Sequence, residues 1–132
     1  EDDTDEPWLM IYTGGTTGKP KGVVLTDRSV YWNAVNTVAT WQLTEADVTL
    51  TVMPMFHTGG LNALTLPILM SGGTVVCIQS FEAERLIHTL EHERCTVVLL
   101  VPTMYHLLVQ SPLFKGAAFR LIRAFISGGA PC

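Results

Sequence analysis

The chain has 132 residues, 48% hydrophobic and 15% charged, which is enough apolar material for one packed domain and too little charge for a disordered tail. Its net charge of −4 arises at the start, where Glu1, Asp2, Asp3, Asp5 and Glu6 supply five of the twelve acids; the remainder is nearly balanced and offers no basic face to nucleic acid. No apolar run approaches the roughly 20 residues that span a bilayer, and no signal peptide is expected.

In chain order, the acidic start reads as a solvated approach to a short strand, Trp8 to Tyr12. A Gly/Thr/Lys loop follows, and Gly22-Val23-Val24-Leu25-Thr26 is β-branched and reads as a second strand. A helix is expected from Arg28 to about Thr40, capped by Asp27 or Ser29, with Tyr31, Ala34, Val35 and Val38 on one face. Val48 to Met53 reads as a strand. Gly60 to Met70 reads as an apolar helix interrupted or shifted by Pro67. Gly72-Gly73 turns into a strand over Thr74–Ile78, and Glu82 to Glu93 is a helix. Thr96 to Val101 is an unbroken apolar run, the pattern of a strand covered on both faces. Pro102 suits the first turn of another helix. Leu121 to Ile126 is a last strand, running up to Gly128-Gly129. Strands alternating with helices imply an α/β fold: a mainly parallel sheet with flanking helices and right-handed crossovers.

Residues 12 to 22, Tyr12-Thr13-Gly14-Gly15-Thr16-Thr17-Gly18-Lys19-Pro20-Lys21-Gly22, carry the most chemistry. Glycines admit a ligand close to backbone N–H groups, and successive N–H groups form an anion nest. Threonine hydroxyls add donors, and lysines add charge-assisted bonds to phosphate. A polyphosphate is the simplest ligand for such a loop. The Walker pattern is not met: three residues, not four, separate Gly14 from Gly18, and Pro20 stands where a hydroxyl for magnesium is needed. A Walker loop also opens a helix, whereas here a strand follows. The phosphate grip would come from loop amides and side chains without a helix dipole.

Three histidine and glycine features invite competing readings. His88-Thr89-Leu90-Glu91-His92 fits a His-x-x-Glu-His zinc signature. Yet Ala83, Leu86, Ile87 and Leu90 form the apolar stripe of that helix, which turns His88 and His92 to solvent, so no metal is expected there. His57 follows a strand at the edge where parallel sheets bind ligands; the alternative is an ordinary capping histidine. Gly128-Gly129 is either a strand-end turn or a bare stretch of backbone on which a flat ring can lie. Cys77, Cys95 and Cys132 match no zinc pattern; Cys77 and Cys95 sit in apolar context as expected buried thiols, and an odd, unpaired set suggests a reducing cytoplasm.

The loop resembles the phosphate loop of the adenylate-forming superfamily, which includes acyl-CoA synthetases, luciferases and peptide-synthetase adenylation domains, and which usually reads Tyr-Thr-Ser-Gly-Thr-Thr-Gly-x-Pro-Lys-Gly. Gly14 replaces the usual serine and removes one hydroxyl. Pro54-Met55-Phe56-His57 and Ser127-Gly128-Gly129-Ala130-Pro131 resemble two further blocks of that family in the right order. The resemblance implies that Thr13, Gly14, Gly15, Thr16, Thr17, Gly18, Lys19 and Lys21 hold the ATP phosphates. It implies that His57 lies beside the reacting carboxylate, and that Gly128, Gly129, Ala130 and Pro131 border the adenine and acyl pocket. ATP, Mg2+ and coenzyme A are the implied co-substrates, with a carboxylic (fatty) acid as acceptor. A peptide-synthetase adenylation domain or a kinase-like nucleotide module remains as the alternative; the former usually carries Phe-Asp where this chain has Phe56-His57. The family's Tyr-Gly-x-Thr-Glu segment, ribose aspartate and C-terminal lysine find no match. The expected organisation is therefore one partial domain over residues 1–132, part of a large N-terminal domain, inactive alone and prone to self-association.

Overall fold

A computed structural model describes residues 5–14 and 18–131. Two sheets are present among them. β1 (Pro7–Thr13) and β2 (Lys21–Thr26) form an antiparallel hairpin, with Thr13 opposite Lys21 and Met10 opposite Val24. The lysine-bearing loop thus joins two strands, and no helix begins at Lys19 or Lys21.

α1 (Asp27–Trp41) starts directly after the hairpin. Its cap is Thr26, one residue before the expected pair: Thr26 Oγ1 accepts the Ser29 amide at 3.2 Å, and Asp27 is already helical. Then come β3 (Val48–Thr51), α2 (Thr58–Leu61), α3 (Thr65–Met70), β4 (Thr74–Cys77), α4 (Ala83–His92), β5 (Val97–Leu100), α5 (Pro102–Gln110) and β6 (Ala124–Ser127). The last four strands make one parallel sheet in the order β4-β3-β5-β6. The expected α/β architecture, a mainly parallel sheet with flanking helices, is the one observed.

The sheet is covered on both faces. Leu50, Val98 and Leu100 pack with Leu86, Ile87 and Leu90 of α4 and Leu108 of α5. Val97 points the other way, into a cluster with Leu43, Leu64 and Ile68, against which Val38 and Trp41 of α1 also pack. The period of two along β5 is what its apolar run required, since every side chain there meets a core.

The apolar stretch over residues 60–70 is broken in a different place from Pro67 itself. Pro67 lies in the first turn of α3, where a missing N–H costs nothing. Its ring excludes the carbonyl four residues earlier, so the turn falls at residues 62–64. Side chains take up the carbonyls that the break would otherwise free: Thr65 Oγ1 donates to Gly60 O at 2.7 Å and Asn33 Nδ2 to Asn62 O at 2.7 Å.

Cysteine burial divides. Cys95 is buried, and burial pushes its thiol up to about 11. Cys77 is exposed, against expectation, because β4 pairs only with β3 and forms an edge of the sheet. The apolar run around Cys77 signalled a strand without signalling that the strand is unflanked.

Candidate nucleotide and acid site

Parallel pairing directs β3, β5 and β6 to the same edge of the sheet. His57 stands six residues beyond β3, and Gly128, Gly129, Ala130 and Pro131 follow β6 directly. The segment after β3 is a tight turn. His57 N donates to Pro54 O at 3.1 Å, and the His57 carbonyl accepts from Gly60 N at 3.0 Å and Leu61 N at 3.1 Å. A Cβ on Gly60 would fall 2.2 Å from Pro54 O and 2.7 Å from Met53 O, so only glycine allows the turn to close. His57 is the N-cap of α2 and its side chain is exposed.

Beyond β6, the Gly128 amide reaches Leu100 O at 3.4 Å, tying the segment to the end of β5. Gly129 has φ +84°, a left-handed conformation that a side chain would strain. Tyr105 holds the strand that leads there. Its hydroxyl lies 2.8 Å from Ile126 O and 3.3 Å from Val98 O, bridging β6 and β5, and burial pushes the phenol up to about 12. Nothing in the sequence marked Tyr105: a tyrosine early in a helix is ordinary, and its partners lie 21 and 7 residues away.

On the hairpin, Thr13, Gly14, Gly18, Lys19 and Lys21 are exposed, and neither lysine has an ion pair among the described residues. Gly15, Thr16 and Thr17 lie outside the described residues. Thr13 Oγ1 donates to Lys21 O at 3.4 Å across the hairpin. No hydrogen bond among the described residues joins this loop to His57 or to Gly128–Pro131. The fold therefore brings His57 and the glycine segment to one sheet edge, and carries the loop on a separate hairpin that leads into α1.

His88 and His92 are exposed on α4 while Leu86, Ile87 and Leu90 are buried, as the helical spacing required. His92 Nδ1 lies 2.9 Å from Glu93 Oε1. Among the described residues no group of three or more His, Cys, Asp or Glu could hold a metal ion. No helix among them is long and apolar enough to cross a membrane.

A strand–loop–strand carrying Thr-Gly and two lysines, followed by a strand-end histidine and a left-handed glycine, has close counterparts. The AMP-binding enzyme family matches residues 1–132. The chain belongs to that family. It is 40% identical over 122 residues to an indoleacetate–CoA ligase of Aromatoleum aromaticum, covering 92% of this chain and 24% of the relative. It is 37% identical over 127 residues to a feruloyl-CoA synthase of an Amycolatopsis species, covering 96% of this chain and 26% of that one. The crystal structure of ATP-bound MatB from Rhodopseudomonas palustris superposes with a TM-score of 0.87 at 34% identity, over 97% of this chain and 25% of MatB. The chain thus spans about a quarter of the length of the relatives it matches.

Proposed function

We propose that this chain is the phosphate-loop and pocket-wall portion of an AMP-forming acid–thiol ligase. The observation that carries the reading is the loop of Thr13 to Lys21 closed by two strands and free of a following helix, in a chain whose His57 and Gly128–Pro131 share the C-terminal edge of a parallel sheet. This arrangement argues against the Walker alternative and supports loop amides, hydroxyls and ammonium groups as the phosphate ligands.

The reaction is the attack of a carboxylate oxygen on the α-phosphorus of ATP, breaking the bond to the bridging oxygen and releasing pyrophosphate. The thiol of coenzyme A then attacks the acyl carbon and AMP leaves. Two anions have to meet in the first step, so positioning and electrostatic neutralisation dominate. Thr13, Thr16, Thr17, Lys19 and Lys21, with the amides of Gly14, Gly15 and Gly18, hold the β- and γ-phosphates as they depart. Gly128, Gly129, Ala130 and Pro131 give the adenine and acyl group a wall of bare backbone. His57 stands beside the carboxylate.

Magnesium is the usual companion of ATP, but this donor set contains no carboxylate and does not make a magnesium site of its own. The substrate is a carboxylic acid. The names of the indoleacetate and feruloyl relatives make aromatic acids the first class to assay, with fatty acids beside them.

The test is pyrophosphate exchange by the full-length protein. His57→Ala is expected to slow adenylate formation about 10²-fold, as the loss of one oriented polar group does, while ATP binding holds. Unchanged exchange would return His57 to a capping role. The 132-residue chain by itself should show no turnover and weak ATP binding, because a single wall buries little ligand while association costs on the order of 4 kcal/mol or more in lost freedom. It should also self-associate, since Trp8, Met10, Tyr12, Val23 and Val24 are exposed on a two-stranded hairpin. Micromolar ATP affinity or acyl-CoA synthesis by the isolated chain would overturn this part of the reading.

A further inference from the structure

We infer that His57 is held as its Nε2–H tautomer by the amide of Gly59, so that it meets the reacting anion as a hydrogen-bond donor and not as a base. The Gly59 N–H lies 3.0 Å from His57 Nδ1. A backbone N–H can only donate, so Nδ1 is the accepting, unprotonated nitrogen. A neutral imidazole has one ring proton, and that proton is then on Nε2. Nε2 has no partner among the described residues, and the side chain is exposed. The ring is locked as well as polarised. The main chain of His57 is extended, with φ −113° and ψ 143°, and its N–H and C=O are both engaged in the turn. A Cβ on Gly59 would lie 3.2 Å from Nδ1, so a side chain there would press on the ring that the amide positions.

The consequence is a division of labour inside one side chain. Nδ1 is spent on the backbone, and Nε2–H is the free group. An N–H donor stabilises negative charge on a carboxylate or phosphate oxygen; it does not take a proton from one. A carboxylate nucleophile has no proton to lose, so a donor is the more useful group at that place. The role toward the reacting anion rests on the proposed adenylation, but the tautomer rests on the fold alone.

Two measurements separate these layers. In the 15N-labelled 132-residue chain, long-range 1H–15N correlation of the imidazole rings reads the tautomer directly, with His57 assigned by its disappearance in His57→Asn. The expected pattern has Nδ1 unprotonated and Nε2 protonated; the opposite pattern, or rapid averaging of the two, overturns the inference. In the full-length protein, His57→Gln places an amide N–H near the Nε2 position, whereas the shorter carboxamide of His57→Asn can replace the acceptor at Nδ1 but does not extend its own N–H to the Nε2 position. Adenylate formation is expected to fall about 10²-fold in His57→Asn and to recover in part in His57→Gln, with ATP affinity unchanged in both. Equal losses in both variants, or full activity in His57→Asn, would overturn the donor role. No loss in either variant, with the Nε2–H pattern intact, would instead remove His57 from the adenylation reading while leaving the tautomer in place.

Discussion

At the N-terminal ends of β3, β5 and β6 polar side chains are bound to one another; beyond the C-terminal end of β3 the His57 ring is exposed and, among the described residues, is held at Nδ1 alone. Asp47, 4% exposed, accepts from Arg123 Nε at 3.0 Å and Nη2 at 2.9 Å, from Thr96 Oγ1 at 2.6 Å and from the Thr44 amide at 2.9 Å. Arg123 also reaches Trp41 O at 3.0 Å and Gln42 O at 3.2 Å, so one guanidinium fastens the end of α1 and the starts of β3 and β6. Beyond the opposite edge, His57 Nε2 has no protein partner among the described residues, and neither do the two lysine heads on the separate hairpin. A network whose donors and acceptors are all used can only hold the fold, whereas a group with an open valence can bind something.

The sharpest way to break this contrast is to remove the guanidinium. Arg123→Ala leaves the buried Asp47 carboxylate without its ionic partner, and the loss of one member of such a pair is expected to cost roughly 3 kcal/mol. Urea unfolding of the chain reads it as a lower midpoint. A midpoint equal to the parent's would mean that the N-terminal edge is no more tightly held than the other. Arg123→Lys should rescue only part, since an ammonium cannot reproduce the fork.

Acid titration probes the same network from its other member. Burial by itself would raise the Asp47 carboxyl, but Arg123, Thr96 and the Thr44 amide outweigh it and hold it down from 3.8 to about 2. Because the folded value is the lower one, its stabilisation is fully present above about pH 4 and is lost as pH falls toward 2. The loss amounts to about 2 kcal/mol. The difference in stability between the parent and Asp47→Asn should therefore shrink across that window. A difference independent of pH would show that the carboxylate charge contributes nothing there.

How much of this was legible in the sequence depended on the range of the interaction. The Thr96–Val101 run and the stripe of α4 were legible because period two and period 3.6 are local properties. The loop was legible because its chemistry is contiguous from Thr13 to Lys21. The Asp47–Arg123 pair was not, since its members are 76 residues apart and either alone looks like a surface charge. Neither Thr26 as the helix cap nor the exposure of Cys77 could be read locally. Asp27 and Ser29 are equally good caps by type, and strand order decides which strand lies at an edge. The Gly59–His57 contact lies between, at a separation of two residues. His-x-Gly before a short helix is the signal that could have suggested it.

Tyr105 tests whether the C-terminal edge borrows any rigidity from the core. Tyr105→Phe removes the hydroxyl at Ile126 O and Val98 O while keeping the ring against Phe125. Loss of one buried hydrogen bond to the backbone should lower stability by about 1 kcal/mol. Amide exchange should speed up most at Ile126 to Gly129. Uniform loosening of the whole sheet would place Tyr105 with the core and not with the edge.

The smallest effect is expected on α4, and it decides whether the zinc signature there has any meaning. His88 and His92 are four residues apart on the exposed face, and His92 is already paired with Glu93 at 2.9 Å, with 83% of its side chain exposed. Such a surface pair contributes little, because both groups keep their water and lose side-chain freedom when they meet. The double variant His88→Ala/His92→Ala is expected to shift stability by less than about 0.5 kcal/mol. A zinc site needs a third protein ligand to compete with water, and none is grouped with these two among the described residues. Adding zinc to untagged protein should therefore leave the unfolding midpoints of parent and variant alike. A zinc-dependent rise in the parent that the variant lacks would make α4 a second functional face and end the contrast drawn between the two edges of the sheet.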